Sequence, residues 1–262
     1  MTGRTDSQPS APVDRRDPSG PHYVYGVVRA GTTVPGGVVG VGGGEELYLL
    51  EGDGLALLAG PIDAAHHLAT QRDVLAHARV LDAVAAGAPV LPMRYGTVVD
   101  DPAGAVDEIV GQSHERFAEL LADLDGAAQY SLRATYHEET VLAEVLAEDP
   151  EIRELTEATR GQDPDIVYGP RVRLGELVVG ALAAKRRADS TVVLAALTPH
   201  LRTAATREPG APDEVLDVAL LVDRSKRGRF EEAVDDVGRR TADRMRLRLI
   251  GPQAPYDFVP GT

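Results

Sequence analysis

Gln129-Tyr130-Ser131-Leu132-Arg133-Ala134-Thr135-Tyr136 is the stretch that decides the fold class. Tyr130, Leu132, Ala134 and Tyr136 are apolar or aromatic, and Gln129, Ser131, Arg133 and Thr135 are polar. Period two puts the two sets on opposite faces of an extended chain, so the spacing predicts a half-buried strand. Downstream, Asp149-Pro150 opens a helix that ends near Gly161. A long helical region runs from about Arg171 to Arg207, with Pro199 kinking or splitting it. Val215 to Val222 reads as a strand. Gly228 to Thr241 reads as a helix with Phe230, Val234 and Val237 facing inward. Arg244 to Leu249 alternates and reads as the last strand. Strand, helices, strand, helix, strand describes an α+β unit, compatible with a ferredoxin-like core enlarged by long helices.

Upstream lies a second unit of the same class. Tyr23 to Arg29 is rich in Tyr and Val and reads as a strand. Residues 30–44 hold seven glycines and a proline, which is loop chemistry. Glu46 to Glu51 and Leu55 to Ala59 look like two strands joined by Gly52-Asp53-Gly54, a hairpin signal. Asp63 is placed to cap a helix reaching about Ala86, with Val74, Leu75, Ala78, Leu81 and Ala85 at helical spacing and Gly87 as the stop. Val90 to Val99 reads as a strand interrupted by Pro92. Asp101-Pro102 starts a further helix with an apolar stripe from Val106 to Leu124, and Gly126 ends it. The expected division is therefore an arm over residues 1–21, an N-terminal α+β domain over 22–126 and a C-terminal domain over 127–262.

The arm carries Pro9, Pro12, Pro18 and Pro21 among Ser, Arg and Asp, without the apolar region of a secretory signal, and is expected to be disordered. No stretch is long and apolar enough to predict a membrane span. The 262 residues carry a net charge of −14, which argues against nucleic acid and against anionic lipid as partners. Cysteine is absent, which removes disulfides, thiolate nucleophiles and thiolate metal ligands. A cytosolic protein fits these numbers.

Side chains arranged for chemistry are few. Gly40-Val41-Gly42-Gly43-Gly44 invites comparison with a phosphate-binding loop. A strand-like segment follows it where a helix N-terminus is needed, and two glutamates flank it. The seven histidines include no pair at i, i+4, so no metal is expected. Paired acids such as Glu231-Glu232 and Asp235-Asp236 read as solvated helix faces. No catalytic residue and no cofactor site is assigned. Residues 224–248 differ from the rest, with nine basic residues against five acids. Arg244, Arg246 and Arg248 alternate with Met245, Leu247 and Leu249, which puts the three guanidinium groups on one sheet face. A solvated face paired to nearby acids is one reading of that row; a docking surface for another protein is the other.

Three segments carry a family resemblance. Tyr23-Val24-Tyr25-Gly26-Val27-Val28 opens the ordered chain. Val90-Leu91-Pro92-Met93-Arg94-Tyr95-Gly96-Thr97-Val98 lies in its middle. Gly251-Pro252-Gln253-Ala254-Pro255-Tyr256-Asp257-Phe258-Val259 closes it, and there the prolines oblige the last strand to stop or to lie at an edge. In this order the three resemble the gas vesicle protein F/L family over about residues 22–260. Met93, Tyr95 and Ala254 depart from the family pattern.

The resemblance implies two α+β domains, the second a modified ferredoxin-like fold with extra long helices. It implies a non-enzymatic role in building gas vesicles, as an accessory or minor component that binds the hydrophobic shell protein. Other gas vesicle accessory proteins are further expected partners, and the vesicle or the cytoplasm the expected location. Pro92, Arg94, Tyr95, Gly96, Gly251, Pro252, Pro255, Tyr256 and Phe258 are expected to be structural, with Tyr256 and Phe258 pinning the terminus over the fold. The competing expectation is a small-molecule-binding or enzymatic module on a ferredoxin-like scaffold. It predicts a deep polar pocket with shifted pKa values.

Overall fold

The computed structural model describes residues 20–260 except 45, 164 and 209. The expected arm over residues 1–21 lies outside the described residues apart from Gly20 and Pro21. Strand β1 (His22–Arg29) is buried over all but its last residue and is the centre of a first antiparallel sheet. The hairpin forms as its Asp-Gly turn predicts. Strand β2 (Tyr48–Gly52) turns through Asp53 and Gly54, both at positive φ, into β3 (Leu55–Pro61). Helix α1 (Gln71–Ala85) packs on one face of this sheet.

That helix is shorter than the expected Asp63–Ala86 and is rotated. Thr70 caps it by accepting from the Asp73 N–H, so the chain from Asp63 onward is connection rather than helix. Val74 and Leu75 are nearly half exposed, while Asp73, Ala76, His77, Val80, Leu81 and Val84 face the sheet. The expected strand over Val90–Val99 is two short ones, β4 (Leu91–Pro92) and β5 (Val98–Val99). Between them the Thr97 N–H closes a turn on the Arg94 carbonyl, with Gly96 at φ 92°. Helix α2 (Pro102–Ala105) passes through a π turn (Val106–Val110) and a 3-10 turn (Gly111–Ser113) into α3 (His114–Asp123). Val106, Val110, Phe117, Leu121 and Leu124 cover the other face of the first sheet, as the stripe requires.

Strand β6 (Ala127–Tyr136) is central in a second antiparallel sheet, and its alternation is realised. Tyr130, Leu132, Ala134 and Tyr136 are buried, whereas Ser131 and Thr135 are half-buried and Arg133 is exposed. Gln129 departs from the pattern, being 2% exposed because its amide is paired with Asp257. The helical connection holds α4 (Glu138–Glu148), α5 (Pro150–Thr159) and α6 (Tyr168–Leu197). Asp149 caps α5 with Pro150 in its first turn. Nothing in the sequence reading anticipated α4.

The helical region does not reach Arg207. Pro199 ends it in a 3-10 turn, and Thr203–Arg207 becomes strand β7. Strand β8 (Glu214–Asp223), helix α7 (Arg227–Thr241) and strand β9 (Met245–Gln253) complete the unit. Phe230, Val234 and Val237 of α7 face the core with Val193 and Leu197 of α6. The last strand runs beyond Leu249 through Pro252. It can do so because β9 is an edge that pairs only with β6.

The first sheet has the order β2-β3-β1-β4 and the second β7-β8-β6-β9. Numbered within their own halves, both read second, third, first, fourth. The second half places helices in both crossovers, and the first replaces one crossover by the glycine-rich loop.

Candidate functional site

The three sequence segments that carry the family resemblance meet in space around one residue that no motif contains. His77 of α1 is 4% exposed. Its ring lies against Tyr23 and Tyr25 of β1, Tyr95 of the β4–β5 turn and Tyr256 of the C-terminal segment, with ring centroids 5.7–6.4 Å away. The Tyr23 hydroxyl accepts from the Gly96 N–H at 2.9 Å and shares a second hydrogen bond, also 2.9 Å, with His77 Nδ1. Burial lowers the His77 pKa to about 4, so the ring is neutral. The hydroxyl pKa values of Tyr23, Tyr25, Tyr95 and Tyr256 are all raised, first by burial.

Among the described residues His77 Nε2 and the Tyr95 hydroxyl are buried without a hydrogen-bond partner, while the polar groups around them are spent internally. The Tyr25 hydroxyl accepts from the Val41 N–H at 2.8 Å. Asp73 receives the Gly42 N–H, His66 Nε2 and the Thr70 hydroxyl, and that hydroxyl bond is the main cause holding its pKa down. The glycine-rich loop thus delivers its amides to a tyrosine and a carboxylate, an environment that repels phosphate. Among the described residues no group of three or more His, Cys, Asp or Glu side chains is placed to hold a metal ion.

The closing segment joins both sheets. The Ala254 N–H donates to Asp82 of α1 at 2.8 Å. Asp257 receives Gln129 Nε2 at 2.6 Å and returns its own N–H to Gln129 Oε1 at 3.1 Å. This reciprocal pair accounts for the burial of Gln129. Arg207 grips both Asp257 oxygens at 2.8 and 2.6 Å, which is the first cause of its raised pKa. Phe258 and Val259 pack with Val24 and Leu57 of the first sheet, Leu121 of α3 and Leu221 of the second sheet. Gly251 sits at φ 148°, and a Cβ there would lie 2.6 Å from the Tyr130 ring. Pro252 is exposed beside it, and Pro255 is buried. Pro92 pairs with Gly26, whose absent Cβ would otherwise meet the Leu91 carbonyl at 2.5 Å. Arg94 is exposed, and its carbonyl closes the turn that presents Gly96.

The arginine row separates into two parts. Arg244 precedes β9 and turns toward the helices. It donates to both oxygens of Glu144 on α4, at 2.6 and 2.8 Å, and to Asp189 on α6 at 3.1 Å. Arg244 is the main cause holding the Glu144 carboxyl down at about 2. Arg246 and Arg248 stand exposed on the outer face of the second sheet, opposite Thr135 and Arg133. Arg133 is itself engaged with Asp217 at 2.8 Å and, as an ion pair without hydrogen-bond alignment, with Glu214 at 2.6 Å. Among the described residues neither Arg246 nor Arg248 has an ion-pair or hydrogen-bond partner.

Beside them, an open groove of about 700 Å³ runs between β9 and α7, with Val234, Gly238, Leu247 and Leu249 in its lining. Sequence reasoning identified Arg246 and Arg248 but missed the groove, His77 and the Gln129–Asp257–Arg207 junction. The signal for the buried cluster was present: it collects four of the chain's eight tyrosines, all within the three quoted segments.

These features define a scaffold of two sheets joined by a C-terminal segment, with two exposed arginines, unpaired among the described residues, on the edge strand of the second sheet. Residues 21–260 match the family described as gas vesicle synthesis protein GvpL/GvpF, and the chain belongs to that family. Gas vesicle protein F of Streptomyces sp. (strain CB03234) is 32% identical over 241 residues, covering 90% of this chain and 98% of that protein. Gas vesicle protein L of the same strain is 30% identical over 251 residues, covering 90% and 92%. The crystal structure of GvpF from Anabaena sp. PCC7120 superposes with a TM-score of 0.80 at 21% identity, covering 93% of this chain and all of that one. GvpF from Microcystis aeruginosa superposes at 0.75 with 20% identity, covering 92% and 99%.

Proposed function

We propose that this chain is a non-enzymatic gas vesicle assembly protein that binds the hydrophobic shell protein during vesicle formation. Family membership supports the setting, including the vesicle or surrounding cytoplasm as its place and other gas vesicle proteins as further partners. The observation that carries the binding surface is the unpartnered pair Arg246 and Arg248 on an edge strand. Nearby arginines 133, 207 and 244 are all tied to carboxylates, so the open cations mark the outward-directed face. The expected surface therefore contracts to Arg246, Arg248 and the adjoining α7, with Arg244 an internal clamp.

We further read the chain as two domains, 22–126 and 127–262. The β-α-β-β-α-β connectivity of the second matches a ferredoxin-like unit enlarged by α4, α5 and α6. An enzymatic or small-molecule reading gains no support from the pKa pattern, because the most shifted groups are buried aromatics or members of internal ion pairs and none lines the groove beside β9.

The test is capture of the shell protein by the purified chain. Replacing both residues, Arg246→Glu with Arg248→Glu, is expected to weaken capture at least tenfold and to lower vesicle yield, with an unchanged circular dichroism spectrum. Full capture and full yield by this variant would remove the patch from the assembly role.

A further inference from the structure

We infer that the outer edge of β9 and the groove beside it take an extended peptide segment of alternating apolar and acidic residues, added as a fifth strand to the second sheet. Among the described residues nothing pairs with that edge, so its backbone donors and acceptors are available as a template. The usable length is short. Pro252 has no N–H and Gly251 is at positive φ, which leaves Met245 to Ile250, about 17–20 Å of strand.

The two faces of the edge specify the occupant's two sets of side chains. Leu247 and Leu249 lie on the inner face, opposite Ala134 and Leu132, and are only partly buried. With Val234 and Met245 they form the apolar part of the groove's lining, which Glu231, Asp235 and Arg239 of α7 complete on the helix side. Gly238 withholds a side chain where the groove needs width: nothing lies within 4 Å of an added Cβ. On the outer face Arg246 and Arg248 present two open guanidinium groups, so the strand that pairs there is best matched by carboxylates at the intervening positions. Period two requires both sets in one segment.

Two other occupants fit poorly. A second copy pairing its own β9 would set arginines against arginines. Residues 1–19 of this chain carry three prolines and three arginines and have no apolar alternation. The inference rests on the assembly reading only in taking a protein segment as the partner.

The probe is a synthetic strand peptide of alternating Glu and Val, compared with its Lys–Val counterpart by fluorescence anisotropy on the full chain. The Glu–Val peptide is expected to bind at least tenfold more tightly than the Lys–Val peptide. Gly238→Phe, which fills the groove from an open position, is expected to abolish that binding, and Gly238→Ala to retain it. Arg246→Glu with Arg248→Glu is expected to reverse the preference toward the Lys–Val peptide. Equal binding of both peptides, or undiminished binding by a folded Gly238→Phe protein, would overturn the inference. So would sedimentation showing a wild-type dimer that Gly238→Phe makes monomeric. Shell-protein capture by the same proteins is read separately. Capture that survives Gly238→Phe removes the groove and leaves the assembly reading standing, whereas a wild-type chain that captures no shell protein but keeps its peptide preference does the reverse.

Discussion

His77 shows how one side chain can set a pH limit on the fold. Tyr23, Tyr25, Tyr95 and Tyr256 surround it and Asp73 lies nearby, yet no carboxylate contacts the ring, so burial alone lowers its pKa to about 4. The unfolded chain titrates near 6.5 and takes up the proton first. Stability is therefore complete above pH 6.5 and declines as pH falls toward 4, by up to about 3 kcal/mol. Glu144 adds a lower window, since its stabilising ionisation is lost between about 4.5 and 2. Urea unfolding across this range is expected to show both limbs, with His77→Gln flattening the first and sparing the second. An unchanged slope between pH 6.5 and 4 in that variant would contradict the assignment. Histidine spacing gave no hint of this role, because a packing histidine needs no partner at a fixed sequence offset.

Among the elements, legibility followed burial contrast. Strand β6 was readable because one face is buried and the other open, which imposes period two on the sequence. Strand β7 was not: Thr203–Arg207 is a five-residue edge, mostly exposed, and its composition does not separate it from the helix before it. Helix α1 was placed but misrotated, because Val74 and Leu75 are apolar yet exposed while polar Asp73 and His77 are buried. Of the arginine row, Arg246 and Arg248 share the outer face as period two requires, whereas Arg244 lies before β9 and turns to the helices instead. What sequence cannot encode is that Glu144, a hundred residues earlier, waits for Arg244. That clamp joins the start of β9 to α4 and α6, together with Lys185, which lies 2.9 Å from Glu144, and the Tyr136 hydroxyl, which donates to Asp189 at 2.5 Å. Arg244→Ala is expected to cost about 1–3 kcal/mol and to speed amide exchange in α4 and α6. Unaltered exchange there would show that the helices are held by apolar packing alone.

For the molecule as a whole, the C-terminal segment decides whether the two sheets behave as one body. The side chains of Arg224 and Arg202 also cross between the halves. Arg224 donates to the carbonyls of Ala85 and Ala86 at the end of α1, and Arg202 to those of Asp123 and Asp125 at the end of α3. Both satisfy helix C-termini and oppose the negative end of the helix dipole. Residues 254–259 add the apolar anchors Ala254, Phe258 and Val259. Ending the chain at Gln253 is expected to lower the melting temperature by roughly 10 °C and to split one calorimetric transition into two. A single transition at the original temperature would place the coupling in the arginine caps instead. The matching strand order of the two sheets belongs to this scale too. It left no sequence repeat, because one crossover is a loop in the first half and three helices in the second.

The position of Tyr256 has a consequence for timing. The aromatic packing around His77 is completed by a residue the ribosome adds roughly 130 positions after the first sheet and its helices, a wait on the order of 10 s at about 5–20 residues per second. Until then Ala254 and Tyr256 have not reached the nascent N-terminal half, and the tyrosine nest remains open on one side. Packing of the first half is thus completed only once residues 254–259 have been made, and a chain broken off before them would leave the His77 aromatic cluster open on that side.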